Sequence, residues 1–195
     1  MSPTIDIPVY YDFASSLCYV AHRVMERMQA EIGELGLWLR WTPIDLTRLS
    51  GWRRGDKFEG GRRLNAERVA RELSVSLVMP ETWQDSREAG GMALLLAGSE
   101  RERVFRERVW RDVYESGRSL EDTDWLAGLA RELDVAPAGR EGVERLTLNT
   151  IEAAEREVSG VPSFVLGGWP LGGIQEDATM RSLFSRYAAR RRGVH

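Results

Sequence analysis

The apolar positions change period several times along the chain, and each change marks an element. Ile5 to Tyr11 combines β-branched and aromatic residues and predicts a strand, with Pro8 arguing for an edge, a bulge or a strand start within it. From Leu17 onward, Leu17, Val20, Ala21, Val24 and Met28 recur at helical spacing among Arg23, Glu26, Arg27 and Gln29. That pattern predicts one amphipathic helix, ended by Gly33 and Gly36. Leu37 to Trp41 alternates as a second strand, stopped by Pro43. A strand, a helix and a strand joined by short loops form a βαβ unit with parallel strands and a right-handed crossover. The corner after the first strand then opens at the carboxyl end of the sheet, where α/β folds place their sites.

Beyond Leu46 the strand pattern disappears. Ser50 to Gly61 is rich in glycine and charge and predicts a loop, after which Asn65 to Leu73 resumes helical spacing. Pro80, Gly90 and Gly91 punctuate the chain beyond Leu73. Met92 to Leu96, Val104 to Tyr114, Leu120 to Leu133 and Val143 to Glu157 all predict helices, with Asp122 or Thr123 as an N-cap and a break at Asp134 to Pro137. Strand character returns at Pro162 to Leu166, and Gly167-Gly168 forms a hairpin turn into Trp169-Pro170-Leu171. A last amphipathic helix covers Met180 to Arg190. The fold class is therefore α/β: a thioredoxin-like arrangement, βαβ then ββα, with a large all-helical insertion between the halves. Residues 1–46 and 160–195 are expected to form the thioredoxin-like domain, and residues 47–159 a helical lid.

Composition removes several function classes. The chain has 195 residues, 43% of them hydrophobic, enough for a filled core. A net charge of -3 argues against nucleic acid as a partner, since phosphate binding needs a concentrated positive field. Lys57 is the only lysine, and the Arg190-Arg191-Arg192 run complements a helix C-terminus ahead of a frayed tail. One cysteine excludes an internal disulfide, Met1 to Asp6 lacks the pattern of a secretory signal, and no apolar run is long enough to span a membrane. A cytoplasmic location is expected. Two histidines and one cysteine do not make a zinc site, and Gly167 to Gly173 has the wrong spacing for a nucleotide loop, so neither metal nor nucleotide is expected. The seven tryptophans are expected to fill the core and the junction between lobes, with Trp52, in the polar loop, meeting substrate.

One stretch carries a resemblance. Asp12-Phe13 followed by Ser15-Ser16-Leu17-Cys18-Tyr19 resembles the Asp-Phe-x-Cys-Pro-Trp-Cys-Tyr opening of the active-site helix in DsbA-type thioredoxin-fold proteins, especially the FrnE-like group. Trp41 to Leu46, Tyr114 to Asp122, Gly160-Val161-Pro162-Ser163-Phe164-Val165 and Gly173-Ile174-Gln175 resemble further segments of that family in the same order. The resemblance implies thiol-linked oxidoreductase chemistry at Ser15 and Cys18, a cis-proline at Pro162, and contacts to a thiol or substrate from Asp12, Phe13, Ser16, Val161, Pro162 and Gln175. Ser15 stands where the family has its nucleophilic cysteine, so the dithiol cycle is unavailable. Kappa-class glutathione transferases and 2-hydroxychromene-2-carboxylate isomerases, a related branch, have serine there, bonded to the thiolate of glutathione. This chain lacks their Ser-Pro-Tyr-Ser form and their Asp-Arg pair.

Three functions are compatible with these residues. The first is transferase or isomerase chemistry on a small electrophile, using a bound low-molecular-weight thiol such as glutathione at Ser15. The second is monothiol disulfide exchange through Cys18, and the third a non-catalytic thiol- or peptide-binding module. Ser15 is also a natural N-cap for its helix. His22, one turn beyond Cys18, is either a base acting on it or a solvated surface imidazole. The kappa-type likeness brings a homodimer into view, and nothing in the sequence fixes the oligomeric state.

Overall fold

The computed structural model describes residues 4–193. Strand β1 (Ile5–Tyr11), helices α1 (Ser16–Arg27) and α2 (Gln29–Glu34), and strand β2 (Leu37–Pro43) come first. A single 3-10 turn at Leu46–Arg48 leads to α3 (Gly60–Glu72), α4 (Arg87–Leu95), α5 (Glu100–Tyr114), α6 (Thr123–Glu132) and α7 (Gly139–Glu155). Strands β3 (Ser163–Leu166) and β4 (Trp169–Gly172) and helix α8 (Asp177–Arg191) complete the chain. The sheet order is β2-β1-β3-β4, with β1 parallel to β2 and antiparallel to β3, and β4 antiparallel to β3. This is the thioredoxin-like arrangement, βαβ then ββα.

Strand alternation sorts the core. Ile7, Val9 and Tyr11 point to one face and join Val24, Trp83, Trp110, Leu129 and Phe184 in a continuous buried cluster, so the sheet and the intervening helices share one interior. Tyr10 points to the other face, with Val165, Ile44, Ala153 and Val158.

Several local expectations change. Pro8 lies on a central strand rather than an edge. The Ile5 N–H bonds to Gly36 O at 2.9 Å, so the odd residues of β1 face β2 and the even ones face β3. The β1–β3 pairing stops at Val9 and Phe164, just before the missing N–H of Pro8 would be needed. The single first helix is two, broken at Met28, where the backbone turns to φ -93 and ψ 2. The loop ends earlier than expected, because α3 begins at Gly60. Trp38 and Trp169 do not fill the core: they are 63% and 79% exposed.

Gly90 and Gly91 lie inside α4 instead of breaking it. Glycine is needed there for close approach, since a Cβ on Gly91 would sit 2.5 Å from the Cβ of Ala138 and 3.1 Å from the carbonyl carbon of Gly142 on α7. Gly91→Ala is therefore expected to destabilise the fold by about 1–3 kcal/mol through overpacking. Gly128→Ala, in α6 with only the Arg131 guanidinium 4.0 Å away, should gain up to about 1 kcal/mol from helix propensity. Urea midpoints of the two variants check both signs.

Candidate functional site: the corner between β1 and α1

After Tyr11 the chain makes one turn, closed by the Ser15 N–H donating to Asp12 O at 3.0 Å, and enters α1. Ser15 holds the N-cap position in extended geometry (φ -90, ψ 110), yet its side chain caps nothing. The Cys18 N–H takes Ser15 O at 3.0 Å, while the N–H groups of Ser16 and Leu17 make no hydrogen bond among the described residues. The corner thus presents free donors and the positive end of the helix dipole.

The Asp12 carboxylate holds this geometry. Its Oδ1 accepts from Ala14 N at 2.9 Å and from Ser86 Oγ, at the head of α4, at 2.6 Å; its Oδ2 accepts from Leu46 N at 2.8 Å. The next residue back from Leu46 is also tied, with Asp45 N donating to Thr150 Oγ1 of α7 at 3.0 Å. Burial pushes the Asp12 carboxyl up to about 6, against these hydrogen bonds, which favour the charged form.

Cys18 is 0% exposed, and burial pushes its thiol up to about 12 against the opposing effects of the Ser15 hydroxyl and the Asp12 N–H. Ser15, at 7%, is the member of the pair nearer the surface. Aromatic residues of α5 roof the corner. Tyr114 donates its hydroxyl to Phe13 O at 2.9 Å and stacks on Tyr19, which donates to Glu115 Oε1 at 2.9 Å.

The antiparallel register of Val9 with Phe164 and Tyr10 with Ser163, continued two residues, brings Pro162 opposite Tyr11 and Val161 opposite Asp12. The Val161–Pro162 peptide bond is cis. The Val161 N–H and C=O have no partner among the described residues, so an open strand edge faces the corner.

Other expected residues fall elsewhere. Phe13 and Ser16 are buried, and Phe13 packs edge-on against Tyr11, Phe105 and Trp110, so it builds the corner from within. Asp12 is equally enclosed and its oxygens are taken. Trp52 is half-buried, stacked on Trp83 with centroids 4.8 Å apart and covered by Arg62 at 4.2 Å. Gln175 is exposed between β4 and α8. His22 is neither solvated nor a partner of Cys18: it is buried against Trp41 and Trp110, and burial followed by the charge of Arg106 pulls it well below the usual imidazole range. Sequence reasoning missed Ser86, Leu46 N, Tyr114 and Thr150. Leu46 and Tyr114 carried a signal, since each lies in a segment that resembles the family, whereas Ser86 and Thr150 carried none.

A thioredoxin-like sheet with a helical insertion and a cis-proline opposite a helix start defines the class. Residues 6–184 match the model of the DSBA-like thioredoxin domain, and the chain belongs to that family. No curated protein matches it. Among solved structures it is similar to 2-hydroxychromene-2-carboxylate isomerase, at 20% identity and a TM-score of 0.75, over 98% of this chain and 100% of that one. A probable DsbA oxidoreductase from Streptomyces coelicolor gives 17% and 0.74, over 98% and 92%. The cytosolic disulfide reductase DsbM from Pseudomonas aeruginosa with GSH gives 16% and 0.62, over 97% and 98%. No helix among the described residues is long and apolar enough to cross a membrane.

The Asp12 titration has a definite sign. The folded carboxyl binds its proton more tightly than the unfolded one, about 6 against 3.8, so its contribution to stability is full below pH 3.8 and is lost as pH rises through about 6. Asp12→Asn, uncharged throughout, should lack that decline, and the stability difference between the two proteins should change by roughly 3 kcal/mol over this range. Parallel urea midpoints from acid to neutral pH check this; a constant difference would show that Asp12 titrates normally.

Proposed function

We propose that this protein is a thiol-dependent enzyme of transferase or isomerase type, which binds a low-molecular-weight thiol such as glutathione at Ser15 and acts on a small electrophile. One observation carries the reading. Of the two residues at the family's dithiol spacing, both buried, the sulfur is the fully enclosed, protonated one and the serine is the one that keeps some exposure, 7% against 0%. Disulfide exchange through Cys18 needs an accessible thiolate, which its burial opposes. The 2-hydroxychromene-2-carboxylate isomerase likeness and the GSH-containing DsbM structure are in keeping with a bound thiol.

The residues present suit an anionic sulfur. The Ser15 hydroxyl is not spent on the helix, and the Ser16 and Leu17 N–H groups add to the field of the helix start. Bound glutathione would supply a thiolate nucleophile. Ser15 would donate to it and hold it deprotonated, while the buried, protonated Cys18 thiol takes no part as a nucleophile. The free N–H and C=O of Val161 would pair with the thiol's peptide backbone as an added strand. The insertion of residues 47–159, already joined to the corner through Ser86 and Tyr114, would serve as the lid that excludes water.

Ser15→Ala is expected to lower glutathione-dependent turnover of an activated aryl chloride about a hundredfold, the scale for one lost anion donor. It should also return the bound thiol to its solution pKa, read from thiolate ultraviolet absorbance against pH. A bulky maleimide should leave native turnover intact. Loss of turnover in step with Cys18 labelling, or an unchanged thiol pKa in the variant, would overturn the assignment.

A further inference from the structure

A second feature, outside the corner, runs along the outer edge of the sheet's first half. A groove of about 570 Å³ lies between β2, α1, α2 and the connection from α4 to α5, lined by Leu37, Leu39 and Trp41 with Met25, Ile32 and Leu94. Its volume is that of a ligand site. Its wall is the outer edge of β2, an edge strand of the sheet.

The hydrogen-bond phase of β2 fixes what that edge offers. Ile5 N–H donates to Gly36 O at 2.9 Å and Ile44 N–H to Tyr11 O at 2.8 Å, so the even residues between them, Trp38, Arg40 and Thr42, turn their backbone groups to β1. The odd residues turn theirs outward. The N–H and C=O of Leu39 and Trp41 have no partner among the described residues and face the groove. Proteins normally blunt such an edge with proline, a bulge or charge. The opposite edge strand carries Pro170, whereas the β2 residues that turn their backbone outward, Leu37, Leu39 and Trp41, are apolar, with Arg40 beside them in the groove wall.

A second group at the groove also lacks a partner. Arg106, itself buried, approaches His22 Nδ1 at 3.0 Å and can only donate, so Nδ1 accepts and Nε2 carries the proton. That buried Nε2–H has no hydrogen-bond partner; Glu26 Oε1, at 3.5 Å, does not supply one. The charges around the groove cancel locally: Arg106 pairs with Glu102 at 2.8 Å, Arg103 with Glu100 at 2.7 Å and Arg40 with Asp6 at 2.8 Å. Nothing there attracts a charged ligand.

We propose that this groove receives an extended, uncharged apolar polypeptide segment, which adds to β2 as a fifth strand. Only a ligand that repeats donors and acceptors every two residues satisfies both Leu39 and Trp41, and an extended chain does so. Alternate side chains of the segment fill the space among Met25, Ile32 and Leu94. The groove is separate from the Ser15 corner, so the inference stands independently of the reading given to Ser15.

The test uses the full-length, isotope-labelled chain and an acetylated, amidated hexapeptide of alternating valine and threonine. Binding should shift the Leu39 and Trp41 amide resonances and slow their hydrogen exchange by about tenfold or more, for a net gain of roughly one hydrogen bond. N-methylation of the peptide on its edge-facing residues should abolish this. Leu39→Pro, which removes one outward N–H and no bond to β1, should weaken binding about tenfold. If that variant does not fold, the N-methylated peptide still decides. Equal binding of the N-methylated peptide would reduce the groove to an apolar pocket and overturn the proposal. So would shifts centred on Val161, no shifts at millimolar peptide, or a dimer in which the Leu39 amide is already protected.

Discussion

A buried carboxylate without a counter-cation organises this protein. Moving Asp12 out of water costs several kcal/mol, and no salt bridge among the described residues compensates it. Three donors offset part of it, from the corner itself, from Leu46 at the 3-10 turn after β2 and from the head of α4, each worth about 1.5–3 kcal/mol to a charged group. The same residue uses its backbone as well, with its carbonyl closing the turn at Ser15. Ser15 is presented where it is because Asp12 holds three separate parts of the chain together.

The helices between β2 and β3 are therefore not an appendage. Trp83, Trp110 and Leu129 lie in the same interior as Ile7 and Phe184, and Tyr114 reaches from α5 to the backbone of Phe13. This packing explains the unequal burial of two residues one helical turn apart. Cys18 points into the shared core with Ala21 and Met25, whereas Ser15, though buried, keeps a small exposure. A family site built for exchanging sulfur bonds has in this chain its sulfur on the inside.

Much of this was legible in the sequence, and the exceptions have physical causes. Element order followed from period and punctuation, because each helix and strand buries one face. Gly91 read as a break because glycine marks both flexible turns and crowded helix contacts, and only the neighbouring Ala138 distinguishes them. Pro8 suggested an edge because a missing donor is harmless there; it is equally harmless where a partner strand is too short to need it. His22 read as a surface residue because its burial comes from Trp110 on a distant helix. Ser86 left no trace, being one serine among many, 74 positions from the carboxylate it serves. The stripe of Cys18, Ala21 and Met25 did contain the sign that the thiol turns inward.

The contact of Gly91 with Gly142 joins these observations into a circuit. From Asp12 the chain of contacts passes to Ser86, along α4 to the glycine crossing, along α7 to Thr150, through Asp45 to Leu46, and back to Asp12. In mechanical terms this is a closed linkage, with no free end about which α4 can swing. Force applied at any joint is borne by all the others, so α4 and α7 move against the sheet as one rigid frame or not at all.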